Sequence, residues 1–312
     1  MIEIVSPAWL AIIVDGGRHG YADAGVPASA ALDAFAYRTL NDLLGNGPHY
    51  PALEVMGSDF RVNFHQEMLC AITGARVRAT LDEKEVTPWA AFCARKGSQL
   101  RVREAMEGLR YYIGFSGLIE CERALGSFST NIECRFGGFH GRPLMKEDVL
   151  TVLEVRPEGD LKAMAEEYIP PMQPPYALRV LEGPEPDSCE AATLEAFWGG
   201  QETNRYIVSA RLNRTGVRLE GRPVMFREDT KTSITSEGVL PGTIQVPGDG
   251  MPIVVLQERT IGGYARIAVV ARVDLDILAQ LKPKDTVTFR RVTIEEAQAL
   301  WARRGKATSR QG

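Results

Sequence analysis

The sequence predicts a mainly β protein of two domains, barrels or sandwiches carrying a few short helices. Three observations lead there. Short runs of apolar and β-branched residues separated by turn residues fill the stretch from Leu53 to Phe115, and a single clear helix precedes them. A proline-rich stretch holding Pro157, Pro170, Pro171, Pro174 and Pro175 interrupts the chain near its middle, where missing donors and restricted predecessors favour a stiff connector. Strand-like segments with glycine turns resume beyond it. The expected division is residues 1–156, a connector at 157–176, a second domain at 177–303 and a polar tail at 304–312.

Composition narrows the function. A net charge of −4 over 312 residues gives no electrostatic reason to bind nucleic acid or an anionic membrane. No apolar run reaches the roughly 20 residues of a membrane helix, and residues 8–14 lack a basic flank, so they read as a strand and not a signal peptide. Cys70, Cys93, Cys121, Cys134 and Cys189 are scattered without a C-x-x-C pair, which speaks against zinc and for a reducing cytoplasm.

Taken in order, residues 15–33 form a loop with glycines at 16, 17, 20 and 25 around Arg18 and His19. A helix follows with Ser29 as its expected N-cap, an apolar face of Leu32, Phe35, Ala36, Leu40 and Leu43, and a stop at Gly45-Asn46-Gly47. Such a loop either holds an anion on outward N–H groups or packs over a barrel end. Strands are expected at 60–64, 69–73, 77–81, 100–102 and 111–115. Residues 125–148 are a second glycine-rich block, with Ser127, Ser129, Thr130, Asn131 and the forked cation Arg142. Lys146 lies between Met145 and Glu147, and those flanks fail as a biotin attachment site.

After a strand at 149–155, a short helical piece is expected at 161–167 and a strand at 177–181. Asp187 and Glu190 read as a capping box before a helix ending at Gly199-Gly200. Arg211, Arg214 and Arg218 cluster around one turn. Strands at 243–246, 253–256 and 267–271 enclose a tight turn at Pro247-Gly248-Asp249-Gly250 and a glycine pair, Gly262-Gly263, suited to a sharp turn or a close approach. Glu237, Gln245, Glu258, Arg259, Thr260 and Tyr264 would then share one rim. Helices are expected at 274–281 and after the capping box of Thr293 and Glu296, with a strand at 286–291 between them. The words Gly141-Arg142-Pro143-Leu144-Met145 and Gly221-Arg222-Pro223-Val224-Met225 hint that the two halves are related.

These blocks resemble a known family. Asp15-x-Gly17-Arg18-x-Gly20, Gly25-Val26-Pro27, Leu125-Gly126-Ser127, Gly137-Gly138-x-x-Gly141-Arg142, Ser236-Glu237-Gly238, Gly242-x-Ile244-Gln245-Val246-Pro247 and Gly262-Gly263-Tyr264 are similar to the C subunit of the prokaryotic 5-oxoprolinases. That family is also known as urea amidolyase subunit 2, or the biotin-dependent carboxyltransferases. The sequence departs from the usual pattern at Phe128 for arginine, Asn213 for aspartate, Glu258 for aspartate and Ile261 for threonine.

The resemblance implies two cyclophilin-like β-barrel subdomains and a cytoplasmic enzyme subunit. It implies ATP-dependent opening of 5-oxoproline to glutamate, with ATP used by the assembly and a B-type subunit as partner, with or without an A-type subunit. One alternative is carboxyl transfer from biotin supplied by a partner. Another is a non-catalytic protein that antagonises a kinase inhibitor. Glu237 and Tyr264 are the catalytic candidates. Arg18, Arg142, Arg214, Arg218, Gln245, Thr260, Gly262 and Gly263 are the substrate-binding candidates, and no metal is expected.

Overall fold

The computed structural model describes residues 1–199 and 204–308, with side chains described through residue 304. Two compact units are present: residues 1–19 with 28–172, and residues 20–27 with 173 onward. Both are mainly β.

The first unit contains β1 (Ile2–Pro7), β2 (Leu10–Val14), α1 (Ala34–Leu43), β3 (Ala52–Met56), β4 (Phe60–Phe64), β5 (Met68–Leu81), β6 (Lys84–Val86), β7 (Ala91–Ala94), β8 (Gln99–Phe115), β9 (Leu118–Ile119), β10 (Val149–Leu150) and β11 (Val152–Leu153). One sheet runs β10-β1-β4-β8-β3-β2, and β5 joins it through β8 while also pairing β6 and β7. The expected strands at 69–73 and 77–81 are halves of one long strand, β5; those at 100–102 and 111–115 are halves of β8. The breaks that the sequence showed are bulges: the β5–β8 register shifts around Gly74 and Arg76. Gly74 stands at φ +85°, and a Cβ there would come within 2.6 Å of the Arg110 carbonyl oxygen.

Helix α1 lays Phe35, Ala36, Leu40 and Leu43 on this sheet beside Ile12, Val14, Ala71 and Tyr112. Gly114 lets the helix sit close, since a Cβ there would meet Leu44 and Leu40 at 2.8–2.9 Å. The cap is not Ser29. Ser29 is buried at φ +50°, where it accepts a hydrogen bond from Asn131. Asp33 caps instead, its Oδ1 accepting from the Ala36 N–H at 2.8 Å. Burial of the Ser29 turn moved the helix start four residues on.

The proline-rich stretch is less of a bare connector than expected. The Ala91 N–H donates to Lys162 O and the Met164 N–H to Trp89 O, and Met172 is buried in the α1 core. Only one 3-10 turn, Glu166–Tyr168, forms where a helical piece was expected.

The second unit contains β12 (Tyr176–Glu182), α2 (Ala191–Trp198), β13 (Tyr206–Leu212), β14 (Gly216–Glu220), β15 (Ser233–Gly238), β16 (Thr243–Val246), β17 (Ile253–Val255), β18 (Ile261–Val270), α3 (Leu275–Gln280), β19 (Thr286–Arg291) and α4 (Ile294–Thr308). Its strand order is β12-β19-β13-β14-β17-β16-β18-β15, and β12 also pairs β18. That last pairing closes a ring and leaves β15 outside it, attached, among the described residues, to β18 alone. Helix α2 seals one side through Phe197, stacked on Phe289 at 4.6 Å and tilted against Tyr206. No capping box starts α2: residues 186–188 form a 3-10 turn, and Glu190 precedes the helix without a side-chain cap. Gly200 lies outside the described residues. Helix α4 does open on the expected box, with Thr293 N–H to Glu296 Oε2 at 2.9 Å and Glu296 N–H to Thr293 Oγ1 at 3.2 Å. It then continues to Thr308, into the stretch expected as a tail.

Candidate functional site

Two clusters gather the residues singled out by the sequence, one in each unit.

In the first unit the hub is Asp15, at the end of β2. Its buried carboxylate accepts from the Gly17 N–H at 2.8 Å, Ser127 Oγ at 2.6 Å, Ser129 Oγ at 2.8 Å and the Phe128 N–H at 2.7 Å. One side chain thereby fastens the loop at 15–18 to the loop at 127–131. Arg18 is 2 % exposed; it donates to the Ser129 carbonyl and lies over the Phe136 ring at 4.7 Å. Gly137 must lack a side chain here, because a Cβ would stand 2.4 Å from Ser129 O. Arg142 forms a two-pronged pair with Asp148, at 2.7 and 2.8 Å, and covers Phe139. Burial pushes the Asp148 carboxyl up, but its bonds with Arg142 and the Met145 N–H leave it below the usual range. Arg18 and Arg142 thus both have structural partners in their loops. Phe128, at a position where the resemblance has arginine, lies under the Arg123 guanidinium at 5.5 Å.

In the second unit the cluster is a row across the sheet. Register aligns Arg218 with Ile253, Ile253 with Gln245, and Gln245 with Arg266, over β14, β17, β16 and β18. Paired residues share a face. The next row on β14, β17 and β16, Val217, Val254 and Ile244, is buried core, so the polar row lies on the opposite face of those strands; on β18 a register shift sets Arg266, two residues before buried Ala268, beside Gln245. Arg218 meets Asp249 of the Pro247–Gly250 turn at 3.0 Å. Arg266 joins two glutamates: its Nε donates to Glu185 at 2.9 Å and its Nη2 to Glu237 at 2.7 Å. This bonding holds the Glu185 carboxyl below its ordinary value.

Gly262 and Gly263 are not a turn. They lie inside β18, where Glu237 faces Gly262 and Ser233 faces Tyr264 across the β15 ladder. The reason for glycine is close approach by a neighbouring side chain: Gln245 is 6 % exposed, packs over Gly262 and donates to the Tyr264 carbonyl at 3.4 Å. Thr260 accepts from the Val239 N–H at 2.9 Å, and the Tyr264 side chain is exposed. Arg214 is buried against Glu258, Nε to Oε1 3.1 Å. Of the expected rim, Gln245 packs on Gly262, Glu237 pairs with Gly262 across the ladder, Thr260 and Tyr264 contribute backbone carbonyls beside it, Arg259 is exposed, and Glu258 stands apart on Arg214.

Sequence reading missed Asp15 as a hub and missed Arg266, Glu185 and Asp148 altogether. An acidic residue closing an apolar strand was a signal for Asp15; an arginine inside a strand was the only signal for Arg266. Among the described residues, no three His, Cys, Asp or Glu side chains are placed to share a metal ion.

Two mainly β units of this kind are shared with known proteins. Residues 24–291 match the family described as carboxyltransferase domain, subdomain A and B, and the chain belongs to that family. It is 32% identical to the 5-oxoprolinase C subunit of Escherichia coli, over 95% of this chain and 93% of that protein. It is 30% identical to the Haemophilus influenzae protein of the same name, over 96% of this chain and 94% of the relative. Among solved structures, the Kluyveromyces lactis urea amidolyase superposes with a TM-score of 0.90 at 28% identity, over 98% of this chain but 19% of that one.

Proposed function

We propose that this chain is the C subunit of an ATP-dependent 5-oxoprolinase, acting with that enzyme's B and A subunits. The observation that carries the reading is the row Arg218–Ile253–Gln245–Arg266 with Tyr264 beside it. A five-membered lactam acid offers a carboxylate, a ring N–H and a carbonyl. Arg218 supplies a cation whose partner Asp249 is half exposed and exchangeable, Gln245 an amide, and Tyr264 an exposed phenol. The two bacterial 5-oxoprolinase C subunits, matched almost end to end, support it.

In this reading Arg218 takes the substrate carboxylate and Gln245 orients the ring amide. Glu237, tied to Arg266, anchors the strand that carries it and leaves Tyr264 as the better-placed proton donor. Arg18 and Arg142 support the loops of the first unit. The residues present do not fit ATP. Arg18, Arg142, Arg214 and Arg266 are engaged by carbonyl, ring or carboxylate groups, Arg218 alone does not make a phosphate cradle, and Gly16, Gly17 and Gly20 do not lead a strand into a helix start. In this reading ATP is held by a partner subunit.

The test is reconstitution with the other two subunits and measurement of ATP-dependent glutamate release from 5-oxoproline. Turnover that depends on this chain, with Arg218→Ala raising KM at least tenfold, is the expected result. A stable complex without turnover would overturn it.

The second reading, carboxyl transfer from a partner's carboxybiotin, is favoured by the 0.90 TM-score to urea amidolyase and urea carboxylase of Kluyveromyces lactis. It predicts carboxylation of urea when a biotinylated carrier and its carboxylase replace the 5-oxoprolinase partners.

A further inference from the structure

The residues around Gly262 sit on an arm that the barrel holds through side chains and not through its strand ladder: Arg266 donates to Glu237 and to the Gly238 carbonyl, and Gln245 to the Tyr264 carbonyl. β18 belongs to the ring only from Ala265 onward, where it pairs β16 and then β12. Among the described residues, its first residues, Ile261–Tyr264, pair with β15 alone, and β15 has no other neighbouring strand. The side chains of Ile261, Tyr264, Glu237 and Leu240 are exposed along it. A two-stranded arm of this kind is marginal by itself and needs fixing at its root.

At the root, the Leu256 N–H donates to Thr215 O at 2.9 Å and the Glu258 N–H to Arg214 O at 3.2 Å. The Thr215 and Gly216 N–H groups donate to Asn213 Oδ1 at 2.8 and 3.1 Å, which fixes the turn that receives them. Over these bonds lies the Arg214–Glu258 pair, the two side chains 5% and 9% exposed. A guanidinium cannot discharge when buried, so its carboxylate holds it, and with it the main chain on both sides. Two residues after Glu258, Thr260 O receives the Val239 N–H and the arm begins.

We propose that Arg214 and Glu258 are positioning residues. Their buried pair sets where the segment 256–260 leaves the barrel, and so where Thr260, Gly262 and Tyr264 stand against Gln245. Arg214 acts through Glu258 and touches no substrate. The role in catalysis rests on the proposed function above; the mechanical role does not.

Two measurements separate these. Arg259 is exposed and lies within the clamped segment. In the isolated full chain, Glu258→Gln speeds tryptic cleavage after Arg259 about tenfold, and Arg214→Lys, which keeps charge but loses the fork, does so too. Val254→Ala, a core change 0 % exposed in the wild type, lowers the melting temperature without selecting that bond. In the reconstituted assembly, Glu258→Gln raises KM for 5-oxoproline about tenfold and also lowers kcat, since Tyr264 is displaced with the arm, and Val254→Ala moves neither. Cleavage at Arg259 unchanged within twofold, or accelerated equally by Val254→Ala, overturns the clamp. Should Glu258→Gln not fold, Arg214→Lys decides by the same criteria. Faster cleavage with an unchanged KM removes the catalytic half of the proposal. A wild-type assembly with no turnover refutes the functional reading, and the tryptic result still decides the clamp.

Discussion

The side-chain amide of Gln245 fills the space that a Cβ at position 262 would need: that carbon would lie 2.2 Å from Gln245 Nε2. The two residues come from adjacent strands, β16 and β18, and the glycine exists for the glutamine.

Gly262→Ala should therefore expel Gln245 and weaken its bond to Tyr264 O. We expect a loss of about 1–3 kcal/mol from overpacking. Gln245→Ala in the same chain should recover part of that loss, since the clash is removed. Urea unfolding of the two single variants and the double variant checks this; strict additivity would be the contrary result.

Asp15→Ala should be among the most damaging single changes. It strips the acceptor from two serine hydroxyls and two backbone N–H groups in a buried place. A loss of about 3 kcal/mol or more is expected, at roughly 1–3 kcal/mol for each buried donor left unsatisfied, discounted for relaxation. Asp15→Asn should fall between Ala and wild type. Chemical denaturation with near-ultraviolet circular dichroism reads both.

The Arg266–Glu185 pair predicts an acid dependence. Its hydrogen bond to Arg266, against an opposing burial effect, holds the Glu185 carboxyl below its ordinary 4.5. A depressed carboxyl contributes stability that is complete above the unfolded-state value and lost as pH falls through the folded one. Melting temperature should thus be flat near neutral pH and fall below about pH 4.5. Glu185→Gln should lower it at pH 7 and make the acid slope shallower. An unchanged slope would remove Glu185 from the account.

Thiol reactivity should follow burial. Cys134 is exposed, and Cys70 and Cys189 are buried. Burial, with the charges of Asp15 and Glu122, pushes the Cys121 thiol up to about 12, and burial alone pushes Cys189 up to about 11. At pH 8 a chromogenic thiol reagent should modify Cys134 within minutes, and Cys70, Cys121 and Cys189 only after unfolding, as peptide mass mapping would show.

Much of the fold was legible because strand formation depends on neighbours in sequence. Apolar–polar alternation marked β4, β-branched runs marked β16, β17 and β19, and Thr293 with Glu296 marked the start of α4. The failures have local causes. A bulge at Gly74 reads like a turn, so β5 was cut in two. A glycine pair inside β18 reads like a turn for the same reason, because nothing local reveals the Gln245 amide. Ser29 was a good cap by type, but burial gave it another bond.

By itself the sequence determined a mainly β chain, where its turns fall, and through its glycine and arginine blocks the family it belongs to. Tertiary structure decided which carboxylate each arginine meets. Glu258 reaches Arg214 across 44 residues, Glu185 reaches Arg266 across 81, and Asp15 gathers Ser127 across 112. Backbone preference and hydrophobic pattern act over a few residues, whereas these partners are set by strand register and ring closure, which exist only once the chain has folded.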